Sequence, residues 1–244
     1  MKIAEDRYVE IKSMVADMSF EIQDMLTNSI KAFITRDYEL ANSVIKKDGV
    51  VDKLDNDIED TCFKILAIYN PRAIDLRFII SILRIVVDME RIGDCCVNIS
   101  KEVKHLKTSL EPKFYENLKI MSDAAYDMVK TSIDAFFNNN IELALATIKK
   151  DDYIDKMNKS IITDTINTIS SSTDRVQDGV SLIYAVRNIE RIADHATNIC
   201  EFVYFKETGK SIKHTYFDSI KEMLWDGKSN AYRRWCGFTG YNKV

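Results

Sequence analysis

The sequence predicts an all-α protein made of two homologous three-helix bundles side by side, and three observations lead there. Of 244 residues only 7 are glycine and 2 are proline, where an average soluble composition would supply roughly 29, so long uninterrupted helices are the economical reading. Apolar residues recur at helical spacing and not in strict alternation. The third observation is that the chain repeats itself.

Val44 to Leu54 (VIKKDGVVDKL) matches Thr147 to Met157 (TIKKDDYIDKM) at 6 of 11 positions with an offset of 103. Val87 to Ile99 (VDMERIGDCCVNI) matches Arg187 to Ile199 (RNIERIADHATNI) at 6 of 13 with an offset of 100, where unrelated sequence gives about one. Upstream, Met25, Ile30, Ala32 and Phe33 pair with Met128, Ile133, Ala135 and Phe136, again at 103. The three-residue length change therefore falls between the two matched blocks. Tyr69-Asn70-Pro71-Arg72 occupies that stretch in the first half and Ser170-Ser171-Ser172-Thr173-Asp174 in the second, both rich in breaker and capping residues.

Each half holds three helical segments, at about 8–36, 38–68 and 71–107, then about 113–138, 140–169 and 174–206. Asp37 and Asn140 suit the N-caps of the middle helices, Asn70 before Pro71 reads as an N-cap and first-turn pair for the third, and Pro112 opens the second half. Helices of about 30 residues are ~45 Å long, and three joined by short turns bury their stripes as an up-down-up bundle. The expected domains are thus 8–107 and 113–206, with a tail, 207–244, outside the duplication.

Composition narrows the function classes. Hydrophobic residues are 46% and charged residues 30%, which supports a real core and excludes disordered and collagen-like classes. With 34 cations against 38 anions the net charge is −4, too acidic for a chain whose main partner is a phosphate backbone, so nucleic acid is not expected as a ligand. Cys62, Cys95, Cys96, Cys200 and Cys236 are odd in number, lack C-x-x-C spacing and fall mostly within apolar helical pattern, the mark of reduced core thiols in an intracellular protein. The most apolar stretch, Phe78 to Met89, carries Arg84 and Asp88 and is well short of the ~20 residues of a membrane span. Nothing at Met1-Lys2-Ile3-Ala4-Glu5 opens a signal peptide, so a soluble protein is expected.

Carboxylates stand on the wrong side of two helices. On a helical wheel Asp94 lies about 40° from Glu90, on an arc with Leu83, Val86, Val87 and Val97, while Arg84, Asp88 and Arg91 occupy a separate one. A buried unpaired carboxylate costs several kcal/mol, so such acids must be protonated, matched to arginine, or bound to a cation. Asp48 and Asp52 repeat the i, i+4 device on the middle helix, with Asp55 and Glu59 on the same stripe. The second half keeps Asp151, Asp155, Glu190 and Asp194 but replaces Asp55 and Glu59 with Asn158 and Ile162. Two like charges on adjacent turns repel unless a cation bridges them, and four such pairs survive the duplication. All-oxygen ligation favours hard ions such as Mg, Ca or Mn, with Fe or Zn open; salt bridges to Arg91, Arg187 and Arg191 are the structural alternative. Asn98, Asn198 and His195 are candidates for supporting hydrogen bonds around the acids. The vicinal Cys95 and Cys96 read as small core residues, because the second half has His195 and Ala196 there.

The blocks E-R-I-G-D (Glu90 to Asp94) and E-R-I-A-D (Glu190 to Asp194), D-L-R at Asp75 to Arg77 and N-I-C-E-F at Asn198 to Phe202 resemble the PhoU family of phosphate-uptake regulators over roughly residues 8–214. The resemblance implies two three-helix bundles with multinuclear metal clusters at Asp48, Asp52, Glu90 and Asp94 in the first and at Asp151, Asp155, Glu190 and Asp194 in the second. It further implies a cytoplasmic regulator, a homodimer and not an enzyme. Such a protein reaches the membrane only through its partners, the phosphate-specific ABC transporter and the phosphate-responsive sensor histidine kinase; it damps import through the first and helps the second silence the starvation response. Ala193 departs from the family's usual glycine. A di-metal carboxylate oxidase is the alternative from another class, but it wants two E-x-x-H motifs and only Glu102 to His105 fits. A metal-free helical adaptor is the third reading. The tail from Lys228 to Val244, with four cations, four aromatics and no acids, is expected to be dispensable for both bundles.

Overall fold

Ile11, Val15, Met18, Ile22 and Met25 follow one another at steps of three and four and are all fully buried. That stripe draws the first helix, α1 (Glu5–Thr35), onto its neighbours. The structure, a computed structural model, describes residues 5–107, 110–171 and 173–212. The tail beyond 212, with Cys236 and the basic aromatic segment, lies outside the described residues.

The first half continues with α2 (Tyr38–Tyr69) and α3 (Ile74–Glu102), and the second holds α4 (Pro112–Phe137), α5 (Ile141–Ile148), α6 (Asp151–Ser170) and α7 (Val176–Thr208). In the first half α1, α2 and α3 pack pairwise; in the second α4 and α7 pack on each other and on α5 and α6. These are the two expected bundles, all-α among the described residues. Met25, Ala32 and Phe33 are buried, and so are Met128, Ala135 and Phe136 at the equivalent positions.

Three local expectations meet the structure differently. Asp37 and Asn140 do cap the middle helices, accepting from the amides of Leu40 and Leu143 at 2.9 Å each. Asn70 does not cap α3: it ends α2 in the left-handed region, φ 45°, its amide bonded to the Leu66 carbonyl. Asparagine tolerates that conformation better than most residues, and a proline just beyond the cap blocks further helix. The second difference is that the expected helix 140–169 breaks at Lys149–Lys150. There the Lys150 amide reaches the Thr147 carbonyl and the Tyr153 amide the Lys150 carbonyl, three-residue closures that tighten the rod for one turn. Asp151 and Asp152 thereby stand in the first turn of α6, where free amides favour negative charge.

The largest interface between helices joins α3 to α7. Both helices are heavily buried along their length: none of Ile82, Ile85, Met89, Ile92 and Ile99 on α3 or of Leu182, Ala185, Ile189, Ile192 and Ile199 on α7 is more than 1% exposed. Ser81 reaches the Phe202 carbonyl while Ser181 donates to Glu102. Asn198 donates to Asp88 while Asn98 meets Asn188. Each contact has its repeat-related twin, so the helices run antiparallel about a pseudo-twofold axis.

Candidate metal centres

In both bundles the motif acids come from two helices that face each other: Asp48 and Asp52 from α2 with Glu90 and Asp94 from α3, then Asp151 and Asp155 from α6 with Glu190 and Asp194 from α7. The wheel placement holds for most of its arc, since Val86 and Val97 are buried, but Val87 is 50% exposed. The acids therefore sit at the edge of the core and not within it: Asp48, Glu90, Asp94, Asp151, Asp155 and Glu190 are half-buried, Asp52 and Asp194 exposed.

Their electrostatics report convergence. Burial raises the Asp48 carboxyl above the usual range, and Asp52 and Asp94 raise it further. Glu90 is raised by burial and by Asp94, Asp55 and Asp52, with Arg91 pulling the other way. Arg91 bridges Asp94 at 3.0 Å and Glu90 at 3.3 Å, so the salt-bridge alternative is present yet does not outweigh the acids. The second bundle is more strongly affected. Asp151 is pushed up to about 6 by burial and then by Asp194, Asp155, Asp152 and Glu190, and Glu190 is raised by burial, Asp194 and Asp155 against Arg187 and Arg191. The buried oxygen Asp151 Oδ1 has no hydrogen-bond partner. All-oxygen donors, mutual repulsion and an orphaned oxygen fit a hard cation by chemistry. In the conformation described, no three His, Cys, Asp or Glu among the described residues form a ready-made ligand set, so binding would require carboxylates to rotate inward.

The supporting residues stand elsewhere than around the acids. His195 Nδ1 and Asn198 Nδ2 each lie 2.9 Å from Asp88 Oδ1, and Asn98 faces Asn188. They join the two bundles across α3 and α7. Asp88 is a polar residue that the sequence reading left on the charged arc; it is 9% exposed. Its signal was available, because positions 88 and 188 are polar in both halves. Asp178 was also missed: fully buried at the start of α7, it accepts from the Lys107 amide at 2.9 Å and lies 3.9 Å from Arg36. Its counterpart in the first half is Phe78, so the repeat offered no hint. Glu102, half of the lone E-x-x-H, accepts from Ser181.

Cys62, Cys95, Cys96 and Cys200 are buried and unpaired; burial pushes Cys62 up to about 12 and Cys95 to about 11, leaving inert core thiols. The Ala193 departure is harmless, because a Cβ on Gly93 would meet nothing nearer than Val51 Cγ1 at 3.5 Å. A cavity of about 440 Å³ lies in the groove between α1 and α4 and shares no residue with either acid cluster.

The duplication is also what known proteins share with this chain. The family described as PhoU domain matches it twice, at residues 15–103 and 118–203. The chain belongs to the PhoU family. A relative from Thermotoga maritima, named phosphate-specific transport system accessory protein PhoU homolog 1, is 34% identical over 204 residues, covering 83% of this chain and 88% of its own. An Aquifex aeolicus PhoU homolog of the same accessory type is 33% identical, covering 87% and 95%. The crystal structure of PhoU from Pseudomonas aeruginosa superposes with a TM-score of 0.80 at 28% identity, covering 84% of this chain and 99% of that one. The phosphate transport system regulatory protein PhoU from Streptococcus pneumoniae gives 0.77 at 28% identity, covering 84% and 96%. The PhoU relatives are thus accessory and regulatory proteins of phosphate transport, and no helix among the described residues of this chain is long and apolar enough to cross a membrane.

Proposed function

We propose that this chain is a cytoplasmic, metal-binding regulator of phosphate homeostasis. It damps uptake through the phosphate-specific ABC transporter and restrains the phosphate-starvation response of the sensor histidine kinase, as a homodimer and without catalysis of its own. The observation that carries the reading is the pair of repeat-related acid clusters in a chain whose relatives are named accessory proteins of phosphate-specific transport. Asp48, Asp52, Glu90 and Asp94 would hold cations of Fe, Zn, Mg or Mn type in one bundle, and Asp151, Asp155, Glu190 and Asp194 in the other. A bound cation supplies the positive charge that these carboxylates lack. The chain's own part is to bring two acid-bearing helices together and to keep Asp151, Asp155 and Glu190 half-buried, where their charge is costly without a counter-ion.

Clean deletion in the host, with any paralogue removed, tests the regulatory half of the reading. High external phosphate should then no longer silence phosphate-scavenging reporters, and uptake should exceed that of the parent strain. Reporters and uptake that still track external phosphate would refute it. Elemental analysis of protein purified without chelator separates the metal-binding reading from a metal-free adaptor.

A further inference from the structure

The hollow of about 440 Å³ between α1 and α4 has no part in the reading above. Its size falls within the range of small-molecule sites, ~300–1,000 Å³, which combine an apolar lining with a few polar groups that orient the ligand. The lining here has that composition. Leu26 and Ile30, 1% and 5% exposed, form an apolar wall from α1 together with Ile34, and Tyr126 adds an aromatic ring from α4.

Most polar groups around the hollow already have partners. Thr27 and Thr35 donate to the Gln23 and Lys31 carbonyls of their own helix, and Ser122 donates to the Lys119 carbonyl. Both oxygens of Asp123 are held by the Lys119 ammonium at 2.9 Å. Two groups in the lining remain: the Lys31 ammonium pairs with no acid, and the Tyr126 hydroxyl has no hydrogen-bond partner, among the described residues. Since Lys119 and Asp123 cancel, the net charge left around the hollow is the single positive charge of Lys31. A lysine stem lies comfortably along apolar surface while its charge stays at the rim.

We infer that this hollow is a binding site for a small amphipathic anion. The apolar body of such a molecule lies against Leu26, Ile30, Ile34 and Tyr126, and its one acidic group meets Lys31, with the Tyr126 hydroxyl as a second donor. The duplication supplies a contrast. Lys31, Ile34, Asp123 and Tyr126 correspond to Asp134, Phe137, Phe20 and Gln23. There the cation has become an anion, and the Gln23 amide is already bonded to Ser19 at 2.8 Å, so the repeat-related positions repel what these attract. Because α1 belongs to the first bundle and α4 to the second, an occupant touches both and favours the packed arrangement it binds.

The test uses the full chain in chelator, so its outcome does not depend on whether the acid clusters hold cations. The probe is anilinonaphthalene sulfonate, an aromatic body with one negative group, compared with phenylnaphthylamine, which lacks the charge. Fluorescence of the sulfonate should rise to saturation at one probe per chain. Lys31→Gln should weaken the sulfonate about 3–5-fold, the upper end for one exposed ion pair, and leave the uncharged probe unchanged. Added salt should weaken sulfonate binding by the parent but not by Lys31→Gln. Ser122→Trp, which places an indole in the hollow, should abolish binding of both probes. Sulfonate affinity unchanged in either variant would overturn the assignment, and so would an equal loss of both probes in Lys31→Gln, which would make Lys31 a packing residue. No saturable binding by the parent would overturn it as well; if Ser122→Trp then lowers the sedimentation coefficient, the occupant of the hollow is a second copy of this chain. Should Ser122→Trp fail to fold by circular dichroism, Lys31→Gln decides: a salt-sensitive loss confined to the sulfonate supports the site, and its absence overturns it.

Discussion

Replacing Asp151 with Asn should stabilise the metal-free protein above neutral pH, although it removes a charged residue from a helix start. Asp151 titrates at about 6 in the fold against 3.8 for the unperturbed group, through burial first and then the charges of Asp194, Asp155, Asp152 and Glu190. The folded chain therefore holds this proton more tightly than the unfolded chain does. Its contribution is fully stabilising below about pH 3.8 and is lost as pH rises through about 6. At ~1.4 kcal/mol per tenfold change in proton affinity, the rise bounds the penalty at ~3 kcal/mol, and solvent screening of a half-buried carboxylate roughly halves it to ~1.5 kcal/mol. Asparagine also gives up the favourable interaction of a carboxylate with the first turn of α6, ~0.5 kcal/mol. The net is ~1 kcal/mol, or ~2–4 °C in melting temperature for a chain of this size. Thermal melts in chelator from pH 4 to pH 8 should show the variant level with or slightly below the parent at pH 4 and ~2–4 °C above it at pH 8. Adding Mn²⁺ at pH 8 should reverse the order, because the parent gains more from the ion. A variant that melts below the parent at pH 8 without metal would refute the account of Asp151 as a strained acid.

Glu190→Gln with Asp194→Asn should lower bound metal by about half, since the first bundle keeps its own acids, while circular dichroism is unchanged; unchanged stoichiometry would remove these residues from the site. Gly93→Ala should be neutral or stabilising by ~0.5–1 kcal/mol through helix propensity, as the second half already tolerates Ala193. Gly179→Ala should instead destabilise by ~1–3 kcal/mol, because its Cβ would fall 2.3 Å from Ile169 Cγ2. Equal melting temperatures for the two glycine variants would contradict the close approach of α6 and α7. Asp178→Ala should cost ~2 kcal/mol or more, read by denaturant unfolding, because the Lys107 amide and the Arg36 guanidinium lose a buried acceptor.

Much of this protein is determined by its sequence alone. Scarce glycine and proline, the three- and four-residue spacing of Ile11 to Met25, and two matched blocks at offsets of 103 and 100 suffice for two all-α bundles, because helix periodicity and duplication are properties of the chain before it packs. The motif acids are legible for the same reason, since i, i+4 carboxylates at the edge of an apolar stripe violate the pattern around them. Asp37 and Asn140 are legible as caps because capping is a local hydrogen bond. What only the tertiary structure decided depends on partners distant in the chain. Asn70 could cap either neighbour until the Leu66 carbonyl claimed its amide. Asp88 became an interior residue only when α7 laid His195 and Asn198 against it, and Asp178 only when Arg36 and Lys107 arrived from the first half. A polar residue on one helix has the same local signature whether it faces water or another helix; the burial that separates the two cases comes from packing α3 against α7.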